Sequence, residues 1–288
     1  MTLRWRRLLV GVCVIPVVSL GVAASQLPAA GAGALLHPGR RRVVERAPPT
    51  CQDATVAGDG VRLSGWRCRA STARRGTLVY LHGVADNRTS GAGVIERFGR
   101  RGFDVVAYDS RAHGDSEGEA CTYGFFEQRD LRRVLDTVGP GPIVLLGTSL
   151  GAAVALQEAA HDPRVTAVVA AETFSDLRTV ATERAPFFFT SGTIARAFEL
   201  AERQAHFRVD EVSPVEVAGM ITAPVLLVHG GADADTIPEH SRRVMEALRS
   251  PKQLIIVPGG GHNESLRELV WVEIERWLDG LVAQSPAP

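Results

Sequence analysis

Short apolar runs recur along the chain near 77–81, 103–108, 142–147, 165–170, 223–229 and 253–258, each bounded by glycine, proline or charged residues. Their lengths fit buried strands. Between them the period changes, and helices are expected near 91–101, 125–138, 150–160, 238–249 and 265–279. Leu131, Val134, Leu135 and Val138 fall at helical spacing, as do Trp271, Ile274, Trp277 and Leu278. Both stripes predict core contacts rather than a cofactor box. Strand–helix alternation of this kind predicts an α/β fold, with a mainly parallel central sheet flanked by helices on both faces. Functional groups then gather on loops at the carboxyl ends of the strands. Upstream, Thr55-Val56-Ala57 and Val61-Arg62-Leu63 flank Gly58-Asp59-Gly60 and read as a hairpin. The interval from about 175 to 220 breaks the alternation, with Pro186-Phe187-Phe188-Phe189 and a helical stretch from Ile194 to Phe207.

The ends of the chain read differently from its middle. Arg4, Arg6 and Arg7 precede Leu8 to Ala24, which is uncharged and largely apolar. That is the layout of an export signal or an N-terminal membrane anchor. Small-residue cleavage sites stand at Val22-Ala23-Ala24 and Pro28-Ala29-Ala30. Removal and retention both stay open, and either one predicts an exported or cell-envelope protein. Residues 1–34 are therefore set apart as signal or anchor, 35–282 as the catalytic domain, and 283–288 as a flexible tail. Cys13 follows Val12 too early in the apolar run for a lipoprotein site.

Composition narrows the classes further. Lys plus Arg and Asp plus Glu each number 32, so net charge gives no electrostatic case for nucleic acid. Cys51 and Cys68 flank the hairpin with their midpoint in its turn, and export would let them form a disulfide, leaving Cys121 free. No Cys/His cluster has metal-ligand spacing, so neither metal nor cofactor is expected.

The chemistry centres on Gly147-Thr148-Ser149-Leu150-Gly151, between the apolar run Pro142–Leu146 and the small-residue stretch Ala152–Ala155. A serine at the apex of a strand–turn–helix elbow needs glycines beside it to clear the neighbouring backbone. Serine alone is a weak nucleophile and requires a base. His262, in Gly259-Gly260-Gly261-His262 after a strand, is the candidate. An acid to orient it would lie in the loop after Val225–Gly230, at Asp233 or Asp235.

Taken together, the chain resembles the α/β-hydrolases of the serine aminopeptidase and prolyl-oligopeptidase-like group, and is particularly similar to their membrane-tethered lipase and thioesterase members. The matching stretches are Leu35–Pro38, Leu81-His82-Gly83, Tyr108–Ser116, Gly147–Gly151, Pro224–Gly230 and Gly261-His262-Asn263, in the family's order. The resemblance implies oxyanion donors at the backbone N–H groups of Val84 and Leu150, with His82 and Gly83 bracing that loop. Counting from Gly230 favours Asp233 as the acid. Counting back from Pro238 shows one extra residue in the loop, and Asp235 becomes a solvated loop residue or helix cap. Asp109–Gly114 also departs from the commoner Asp-x-Arg-Gly-x-Gly, a conservative change. The implied activity is hydrolysis of a small-molecule carboxylic ester or thioester through an acyl-enzyme. An aminopeptidase-like enzyme, using Glu172 or Asp176 to bind an amine, is the alternative, and a non-catalytic binding protein a third. The 175–220 interval would be a small lid, with Phe187, Phe188 and Phe189 either walling an acyl pocket or packing between lid and sheet.

Overall fold

A computed structural model describes residues 25–282. Eight strands form one sheet, in the order β1-β2-β4-β3-β5-β6-β7-β8. They are β1 (Cys51–Ala57), β2 (Arg62–Cys68), β3 (Gly76–Leu81), β4 (Phe103–Tyr108), β5 (Ile143–Thr148), β6 (Val165–Ala171), β7 (Val225–Gly230) and β8 (Lys252–Val257). The pairs β1–β2 and β2–β4 are antiparallel, and the remaining pairs are parallel. β3 and β7 are buried along their whole lengths, as continuous apolar strands covered on both faces must be. The sheet is that of an α/β-hydrolase fold, and its strands fall where the alternation placed them.

Helices cover both faces. On one, α3 (Glu127–Leu135), α4 (Leu150–Ala159) and α8 (Glu239–Ala247) bury Leu131, Val154 and Val244 against the sheet. On the other, α2 (Ala92–Gly99) and α9 (Glu268–Val282) bury Phe98 and Ile274. The two predicted helical stripes are therefore core contacts, with Trp271 and Trp277 half-buried beside Ile274 and Leu278.

A third apolar cluster lies apart from these two. Between β6 and β7 the chain forms α5 (Leu177–Glu183), α6 (Ser191–Ala205) and the short α7 (Pro214–Val217). Phe198, Ala201 and Phe207 from this insertion pack with Ala32 and Leu36. Those two residues belong to a further helix, α1, spanning 25–36. The expected boundary at 34/35 falls inside this helix, whose buried side chains tie it to the insertion. An uncharged sequence is common to an export segment and to a helix packed on apolar neighbours. The apolar run Leu8–Ala24 and the tail 283–288 lie outside the described residues. Among the described residues, no helix is long and apolar enough to cross a membrane.

Cys51 and Cys68 face each other in the β1–β2 register and are joined by a disulfide. Cys121 is a free, buried thiol. The matched stretch Tyr108–Ser116 is a brace under the sheet's carboxyl edge. Buried Asp109 accepts the Arg88 and Asp115 N–H groups and pairs with the Arg88 guanidinium. Arg111 makes a bidentate pair with Asp130 at 2.7 and 2.9 Å.

Candidate active site

The turn from β5 into α4 places Ser149 at φ 50° and ψ −112°, a left-handed conformation that costs free energy for a residue with a Cβ. Its N–H donates to the Ala171 carbonyl at 2.8 Å, and its own carbonyl accepts from Ala152 and Ala153. A Cβ on Gly147 would strike the Gly151 backbone, and one on Gly151 would strike the Leu81 carbonyl. No larger residue fits at either position, which is why glycines flank the elbow.

The loop after β8 brings His262 to Ser149, with Nε2 3.0 Å from the serine Oγ. On the other side of the ring, Nδ1 donates to Asp233 Oδ2 at 2.7 Å. Asp233 also accepts the backbone N–H groups of Asp235 and Thr236, both at 2.9 Å. Burial alone would raise its pKa. Hydrogen bonds from His229, His262 and Thr236 outweigh that and hold the carboxyl well below the usual carboxylate range. Asp235 is exposed and turns its carbonyl to Arg184. Of the two aspartates, only Asp233 meets the imidazole.

Two positioning residues were not read as such in the sequence. His229, fully buried at the end of β7, donates from Nε2 to the Thr236 carbonyl at 2.7 Å and lies 3.3 Å from Asp233 Oδ2. Its Nδ1 meets the Ser241 hydroxyl at 2.6 Å. A signal for it existed: His229-Gly230 ends β7 as His82-Gly83 follows β3. The second is Glu172, at φ 58° just beyond β6. Its carboxylate accepts the N–H groups of Asn263 at 2.6 Å and Ser265 at 3.0 Å, so it holds the loop that carries His262. Asp176 caps α5 by accepting from Thr179 and also accepts from the Ser175 hydroxyl. The two carboxylates that an amine-binding site would draw on are therefore both engaged within the protein.

His82 is fully buried, donates from Nδ1 to the Gly83 carbonyl and accepts the Ser110 N–H at Nε2. Both ring nitrogens are committed to the neutral form. Burial, helped by nearby His113, pushes its pKa down to about 4. Gly83 lies beneath Ser149, since a Cβ there would sit 3.6 Å from the serine Cβ.

A cavity of about 1100 Å³ opens over Ser149 and His262. Tyr80, Val84, Trp271 and Arg184 are among its walls. Phe187, Phe188 and Phe189 are not. Phe187 is 99% exposed and Phe188 54%, while Phe189 packs toward α1. The expected acyl wall is thus absent from this cavity, because the turn between α5 and α6 carries the triplet outward. Glu172, Asp233 and His262 offer ligand atoms within 4.8 Å of one another, close enough for a cation. Each already holds N–H or carboxylate partners, so a metal would have to displace the hydrogen bonds just described.

Comparison with known proteins agrees with this architecture. Residues 76–207 match the alpha/beta hydrolase fold family. The protein YqkD of Bacillus subtilis is 33% identical over 219 residues, covering 71% of this chain and 72% of its own. YfhR of Escherichia coli K12 is 28% identical over 223 residues, covering 74% and 73%. A solved esterase of Pyrococcus furiosus superposes with a TM-score of 0.66 at 21% identity, over 86% of this chain and 98% of that one. The chain belongs to the α/β-hydrolase family.

Proposed function

We propose that the protein is a serine hydrolase that cleaves small-molecule carboxylic esters, with thioesters as close alternatives. The observation that carries this reading is one imidazole bonded on one side to Asp233 and on the other to Ser149. His262 takes the Ser149 proton as Oγ attacks the carbonyl carbon. The oxyanion is held by the N–H groups of Val84 and of Leu150, the first residue of α4. His262 then protonates the leaving group, and the alcohol or thiol departs. Water, activated by the same imidazole, hydrolyses the acyl-enzyme. Asp233, anionic across the working pH range, stabilises the imidazolium formed in both steps. The helices between β6 and β7 form a small cap, and the cavity beneath it selects the acyl group. The Cys51–Cys68 disulfide supports an oxidising, exported location.

The test is hydrolysis of short p-nitrophenyl esters, with fluorophosphonate labelling in parallel. Ser149→Ala is expected to abolish labelling and lower kcat by about 10⁴-fold or more. Equal rates in the variant and the parent would remove Ser149 from the mechanism.

A further inference from the structure

Phe187 and Phe188 stand out at the surface, their rings stacked edge to face with centroids 5.4 Å apart. Nothing in the site described above uses them. Phe189 follows at the same spacing, but packs inward on α1: a Cβ on Gly31 would lie 3.0 Å from its ring. The phenylalanine turn and α1 are thus neighbours in space, though more than 150 residues apart in sequence. α1 has no charged side chain, and the uncharged stretch runs from Leu8 to Leu36. Its apolar part, Leu8–Ala24, ends one residue before α1 begins. Only Pro186 and Ala185 separate Phe187 from Arg184, which lines the cavity above Ser149.

We propose that this face docks on a lipid bilayer, with Phe187 and Phe188 inserted among the acyl chains beside the mouth of the cavity. Exposed aromatic pairs are unfavourable in water and partition into the boundary between headgroups and chains. The sequence leading into α1 is the part of the chain with bilayer-compatible composition, and α1 itself lies against the phenylalanine turn through Gly31 and Phe189. A second copy of the chain would also cover two phenylalanines. It would not account for the uncharged composition of α1 and of the sequence that leads into it, so the lipid surface is the occupant. Docked this way, the cavity mouth lies near the membrane plane and admits acyl substrates from the bilayer. That last step rests on the hydrolase reading; the docking itself does not.

The experiment uses the full chain with phosphatidylcholine vesicles, some brominated along the acyl chains. Phe187→Trp replaces an almost wholly exposed side chain. Its fluorescence, after subtraction of the parent's tryptophans, is expected to fall at least twofold on brominated vesicles. Phe188→Trp serves as the second reporter should the first variant fail to fold. In parallel, the double variant Phe187→Ser/Phe188→Ser should turn over a vesicle-borne long-chain ester about tenfold or more slowly. Its rate on a soluble short ester should be unchanged. Tryptophans at 187 and 188 that are not quenched beyond the parent, in folded protein, would overturn the docking. So would concentration-dependent self-association that hides residue 187 from lipid. Quenching without hydrolysis of any ester would leave the docking standing and defeat the hydrolase reading instead.

Discussion

Beneath the cavity, β3 and β5 run through a core in which Leu78, Val79, Leu145 and Leu146 are all but inaccessible, and Ser149 is held by glycines that accept no substitute. Above it, the insertion between β6 and β7 packs its inner residues on α1 and leaves Phe187 almost wholly in solvent. The floor is fixed by many mutually dependent contacts, so small changes there should be costly. The cover is held on one side only, and its outer residues answer to something other than folding. This contrast separates residues that make the site work from residues that bring the site to its substrate.

The largest expected effect lies in the floor. Asp233→Asn should lower kcat by about 10⁴-fold with KM little changed, while Asp235→Asn stays within severalfold of the parent. Steady-state kinetics on a short ester would check both, and comparable losses at the two positions would erase the distinction drawn between them. Glu172→Gln replaces one carboxylate oxygen by an amide that cannot accept an N–H. It should lower kcat by about 10- to 100-fold through misplacement of His262, again with KM nearly constant. A loss confined to KM would mean that Glu172 contacts substrate instead.

Acid stability offers a third way to sharpen the contrast. His82 is held neutral, with its pKa pushed from 6.5 down to about 4. The folded state therefore carries fewer protons than the unfolded chain between those values. Stability from this group is complete above pH 6.5 and declines as the solution is acidified toward 4. The loss is on the order of 3 kcal/mol. Urea unfolding at pH 7 and pH 4.5 should show that slope in the parent and a shallower one in His82→Asn. The smallest effect belongs to the cover: Phe187→Ser should shift unfolding free energy by no more than about 0.5 kcal/mol. A loss of several kcal/mol would show that the turn is a structural part of the fold after all.

Much of the floor was readable from the sequence because its signals are local. A strand, a glycine-flanked serine and a small-residue helix adjoin one another from Pro142 to Ala155. The position of Asp233 followed from counting along one loop. What the sequence hid depends on distant neighbours. Three successive phenylalanines suggest an interior wall, yet whether a turn faces inward is set by the helices on either side. Glu172 looked like a free carboxylate because the N–H groups that occupy it come from Asn263 and Ser265, some ninety residues away. The packing of α1 on α6 was hidden for the same reason, since it rests on contacts that composition does not encode.

The Cys51–Cys68 link closes a loop with a sequence separation of 17, at the rim of the sheet where β1 has β2 as its one partner. Cross-linking a loop of that size withholds roughly 3 kcal/mol of disorder from the denatured chain. It also fastens the outermost strand, so that the strand inside it is not offered to passing chains as a template for pairing. A mild reductant should therefore leave ester turnover intact while making the protein more prone to clump, a failure that begins far from the serine.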